Sequence, residues 1–73
     1  MEELRRKREL VGLSQIALSQ QAGVSRTRLQ LAEAGQLILR ANEVEALNYA
    51  LRIAIEHRTA ALRNAIDSVH TNF

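Results

Sequence analysis

Apolar positions recur along the chain at three- and four-residue steps, the spacing that stacks side chains on one face of a helix. Leu4, Arg8 and Val11 mark a first helix from about Glu2 to Val11, with Glu2 and Glu3 at its electropositive start. Gly12 breaks it. Ser14 reads as the N-cap of a second helix, in which Leu18 and Ala22 point one way with Ala17 at the margin, and Gly23 ends that helix. Ser25 reads as the N-cap of a third, closed by Gly35. On it Leu29 and Ala32 share a face that Val24 can join, which leaves Arg26, Thr27, Gln30 and Leu31 on another. All three glycines fall at predicted helix ends, where a left-handed residue is needed.

The connection after Gly35, Gln-Leu-Ile-Leu-Arg-Ala, is unusually apolar for a loop. Asn42 followed by Glu45 predicts a capping box, opening a helix whose buried stripe is Val44, Leu47 and Leu51. No breaker follows until the polar end at Thr71 and Asn72. Leu51, Ile55, Arg58, Leu62, Ala65 and Val69, with Ile66 alongside, approximate a coiled-coil seam. A helix from Glu43 to Val69 would extend roughly 40 Å at 1.5 Å per residue, too far for the first forty residues to cover. Either this tail pairs with a second copy of itself or it bends near Glu56, His57 and Arg58 and folds back. The expected fold is all-α, with a head over residues 1–51 and a helical C-terminal extension over residues 52–73 that serves as a dimerisation element.

Composition sharpens this picture. At 73 residues the chain is near the length at which a single core is only just sufficient, so association is expected to help. Pro is absent and the only aromatics are Tyr49 and Phe73, which favours helices joined by short turns. No Cys is present, excluding disulfides and thiolate metal sites. No apolar run approaches the roughly 20 residues of a membrane span, and the N-terminus lacks the apolar stretch of a signal peptide, so a cytoplasmic protein is expected. Residues 1–40 hold seven basic and four acidic side chains, net +3, whereas residues 41–73 hold three and four, net −1. The basic half contains the third helix, as a phosphate-facing surface requires.

Catalytic chemistry finds little support. Asp67, Ser68 and His70 contain the letters of a triad but lie within one helical turn near the end of the chain, without a pocket. His57 and His70 are thirteen residues apart with no Cys nearby, which is no metal-ligand spacing. No enzyme activity, metal or cofactor is expected.

The stretches Gly12-Leu13-Ser14-Gln15, Ala22-Gly23-Val24-Ser25 and Glu33-Ala34-Gly35 resemble the XRE/Cro-type helix-turn-helix regulators, the group that includes phage repressors. The similarity covers about residues 4–51 without a gap. It implies a compact four- to five-helix, lambda-repressor-like domain whose third helix enters the major groove of double-stranded DNA, usually as a two-fold homodimer on a palindrome with half-sites about one turn apart. It also implies repression or activation of a promoter, with repression the role expected here, and makes Arg8 and Glu33 an internal ion pair. Arg26 and Thr27 become the first base-contacting pair, with Arg28 and Gln30 as further base contacts. Leu31 can pack on a thymine methyl. The phosphate contacts expected are Ser14, Gln15, Ser25, Gln36 and Arg40.

The chain also departs from the family pattern. Leu31 and Ala34 stand where polar residues are usual, and Leu37, Ile38 and Leu39 replace a basic, proline-containing loop. These changes leave a second reading open, a protein-interaction module on the same fold, antitoxin-like or anti-repressor-like. Its partner would dock on the apolar loop 37–39 or on the C-terminal helix. For self-association the expected stripe is Leu51, Ile55, Leu62, Ile66 and Val69.

Overall fold

The computed structural model describes the backbone of residues 2–71 and the side chains of residues 2–69. The His70 side chain and Asn72, both weighed above, lie outside the described residues. The described chain forms four helices and no strand: α1, Glu2–Val11; α2, Gln15–Ala22; α3, Arg26–Glu33; and α4, Ala41–Thr71.

The short helices are bounded by local chemistry. Ser14 Oγ accepts from the backbone N–H of Ala17 (3.0 Å) and Ser25 Oγ from that of Arg28 (3.1 Å), each satisfying a donor that the first turn leaves unpaired. At the far end of α3, the Gly35 N–H donates to the Ala32 carbonyl (3.1 Å) and the Gln36 N–H to the Leu31 carbonyl (2.8 Å). That closure needs a left-handed residue between them, and Gly35 has φ 77°. Gly12 and Gly23 close α1 and α2 with φ of 81° and 69°.

Helix α4 begins earlier than the Asn42–Glu45 pattern suggests. Its cap is Arg40, whose carbonyl accepts from the Val44 N–H (3.0 Å) and whose own N–H donates to Glu43 Oε1 (2.9 Å). Glu43, and not Glu45, therefore makes the reach back to the cap. The helix then runs unbroken for 31 residues, roughly 46 Å, so the bend near His57 does not occur.

Leu4, Leu18, Val24, Leu29, Ala32, Leu39, Leu47, Ala50 and Leu51 form the core, with Leu13, Ala22, Leu37 and Val44 packed against it. The apolar loop is thereby largely explained: Leu39 is buried, Leu37 is half-buried, and Ile38 alone stands out at 93% exposed. Leu51, expected to open the dimerisation stripe, is 2% exposed inside this core and is not available to a partner. Helix α1 runs alongside α4 in the same direction, with Leu4 near Val44 and Leu47, and Val11 near Arg58. Arg58 Nη1 donates to the Val11 carbonyl (3.4 Å) and marks where the head stops. Beyond it α4 projects alone, which gives the molecule its 52 × 19 × 17 Å extents. No described helix is long and apolar enough to cross a membrane.

Candidate nucleic-acid interface

Helix α3 is anchored from both ends by two-point ion pairs. At its C-terminal end, Arg8 Nε and Nη2 donate to the two Glu33 carboxylate oxygens, both at 2.8 Å, while Arg8 Nη1 donates to the Leu13 carbonyl (2.8 Å). Gln15 Nε2 adds a bond to Glu33 Oε1 at 3.0 Å. This cluster joins α1, the α1–α2 turn, the start of α2 and the end of α3, with side-chain exposures of 11% for Arg8 and 3% for Glu33. Burial pushes the Glu33 carboxyl up, but the hydrogen bonds from Arg8 and Gln15, with the charges of Arg8 and Arg5, outweigh it and the net shift is downward.

Near the N-terminal end, Arg28 Nε and Nη2 donate to the two oxygens of Glu43 at 2.7 Å each. These bonds, then the Arg40 backbone N–H, hold the Glu43 carboxyl down to about 2 despite its partial desolvation. Arg28 was expected at the bases; instead its fork is turned back onto α4. Two charge-assisted bonds make the residue a brace between α3 and α4 in this structure. Gln15 is likewise partly committed, since one of its two amide hydrogens lies on Glu33 and one remains for a phosphate.

On the face away from these anchors α3 presents Arg26, Thr27, Gln30 and Leu31, all exposed, and Ala34 beyond them. Among the described residues Arg26 has no ion-pair partner, so its guanidinium is available. Ser14 and Ser25 lie exposed at the starts of α2 and α3, and because each hydroxyl accepts from the backbone, its own hydrogen is left to donate outward. Gln36 and Arg40 are exposed in the connection to α4.

The sequence reading missed two residues. Glu43 was passed over because the helix start was placed two residues late. Arg5, counted above only among the basic residues of the first half, borders the same shallow groove as Gln15, Gln30 and Ala34 and is paired with Glu9 (3.0 Å). The available signal was its position three residues before Arg8, on the same side of α1.

A helix-turn-helix family model matches residues 4–56, most of the chain. The protein belongs to the XRE-type helix-turn-helix family. No curated protein and no solved structure matches it significantly. Family membership makes this XRE-type protein a DNA-binding helix-turn-helix regulator at that level of description, in a family that is regulatory and generally non-enzymatic.

Proposed function

We propose that this XRE-type protein is a sequence-specific repressor that inserts α3 into the major groove of duplex DNA as a dimer and represses by occupying its site. The observation that carries this reading is the free Arg26 on the first turn of α3, a helix otherwise locked to its neighbours by Arg8–Glu33 and Arg28–Glu43. A guanidinium there can give guanine O6 and N7 two parallel bonds, and a locked helix loses little freedom on docking. Thr27, Gln30 and Leu31 complete the reading face. The hydroxyls of Ser14 and Ser25 sit at electropositive helix starts where phosphates bind favourably, with Gln15, Gln36, Arg40 and Arg5 along the flanks.

The dimer is read from the projecting part of α4, where Ile55, Leu62, Ile66 and Val69 are each about half exposed along one stripe. Joining two heads makes the second contact effectively intramolecular, which offsets the loop charges this chain lacks. The alternative, a protein-binding module, rests on Ile38 and Leu31, the apolar side chains left outside around α3 and its following loop.

A binding titration on a site selected from random duplexes separates the readings. Arg26→Ala is expected to weaken binding by about 1–3 kcal/mol, roughly 5- to 150-fold, and to relax preference at one base pair per half-site. Arg40→Ala is expected to weaken all sequences alike and to reduce the salt slope by about one. Unchanged affinity and preference in Arg26→Ala would overturn the assignment, and the absence of salt-dependent DNA binding would favour the protein-binding module.

A further inference from the structure

The exposed stripe on α4 is continuous with the helix face that packs the core, and this decides how a second copy can lie on it. Up to Leu51 that face is buried against the chain's own α1 and α2, and Arg58 Nη1 reaches back to the Val11 carbonyl. Past Arg58 the same face carries Leu62, Ala65, Ile66 and Val69 into solvent. At the junction, the end of α1 adds Leu10, which is 71% exposed and lines a groove of about 230 Å³ with Val11, Ile55, Arg58 and Leu62. A large aliphatic side chain left so open beside an apolar groove, at the foot of an apolar helix, is a receiving surface of matching chemistry.

We infer that two copies pair their α4 tails antiparallel, so that Ile66 and Val69 of each seat against Leu10, Val11 and Ile55 of the other. This rests on the dimer proposed above and adds its direction and register. Three observations favour it over a parallel pair. First, in a parallel pair joined along this face both heads would lie between the two helices, while the tails must approach to the roughly 8–10 Å of packed helices. Helix α4 is unbroken, so it cannot splay to make room. In the antiparallel pair the two heads lie instead at opposite ends of the paired tails.

Second, the lengths agree. From Ile55 to Val69 the helix rises about 21 Å, and an overlap centred on Leu62 sets Ile55 of one copy opposite Val69 of the other. Third, Arg58 is the charged residue within the stripe. A parallel pair sets it against its own copy, a like-charge contact in a desolvating seam. The antiparallel register sets it opposite Ile66 and keeps the two guanidinium-bearing positions about 12 Å apart along the axis. The same register holds the two Glu43 anchors of α3 about 57 Å apart along the pair, further than the roughly 34 Å of one DNA turn.

The chain has no cysteine, so introduced thiols report without background. Leu10→Cys and Val69→Cys variants of the full chain, mixed without DNA and treated with a short bismaleimide, are expected to give a crosslinked heterodimer, while Val69→Cys alone stays uncrosslinked. Sedimentation equilibrium of the parent is expected to show concentration-dependent mass that Leu62→Glu abolishes, with circular dichroism confirming that each variant keeps its helicity. A dimer in which Val69→Cys crosslinks to itself, and Leu10→Cys to nothing, overturns the antiparallel register but leaves the dimer. A monomer at tens of micromolar overturns both, whatever the DNA titration shows. Because no DNA is present, failure of the base-reading assignment cannot produce either result.

Discussion

The head and the tail of α4 are built from the same helical alphabet, yet they are held by different things. In the head every turn of the apolar stripe meets a partner: Val44, Leu47, Ala50 and Leu51 close on α1 and α2, and buried charges are answered within hydrogen-bond distance. In the tail an equally regular stripe of Ile55, Leu62, Ile66 and Val69 meets solvent. Periodicity makes a helix amphipathic, but stability comes from what covers the apolar face. The head supplies its own cover; the tail must obtain it from another molecule.

The widest separation between the two regions is expected from equal truncations. Leu47→Ala, at a fully buried site, should cost about 2–5 kcal/mol in urea unfolding. Leu62→Ala should leave the head within about 0.5 kcal/mol of the parent at concentrations where the chain is monomeric. Equal losses would mean that the tail is packed internally and would erase the contrast.

A somewhat smaller effect is expected at the Arg8–Glu33 cluster. Glu33→Ala leaves Arg8 with the Leu13 carbonyl as its remaining partner in a mostly desolvated place, at a cost of about 3 kcal/mol. A double-mutant cycle with Arg8→Ala should return a coupling energy above 1 kcal/mol, whereas the exposed Arg5–Glu9 pair should return at most about 0.5. A vanishing coupling for Arg8–Glu33 would remove the anchor at the end of α3.

The gentlest probe is pH. Glu43 titrates at about 2 in the fold against an ordinary 4.5, so its contribution is fully present above 4.5 and is lost as pH falls from there through about 2. Glu33 is shifted in the same direction and adds to the loss. Glu43→Gln should therefore lower the urea midpoint above pH 4.5, flatten its fall below that, and converge on the parent near pH 2. Parallel pH profiles for parent and variant would show that the Arg28–Glu43 brace is not formed in solution.

Much of this protein was determined by local sequence alone. Helix positions, the serine caps and the glycine stops depend on residues within four or five positions of each other, so the α2–turn–α3 unit and its exposed face were legible before any fold was known. What only the tertiary structure decided concerns pairs distant in sequence. Arg28 looked like a base reader because nothing near it in the chain claims it; Glu43, fifteen residues on, does. Leu37 and Leu39 looked like a docking loop until the core they fill was assembled, and Leu51 looked like the start of a dimer seam until the same core enclosed it. The straight course of α4 past His57 was also undecidable from its residues, because a helix with no breaker can end or turn back only where packing makes it do so, and here the head reaches only to about Arg58.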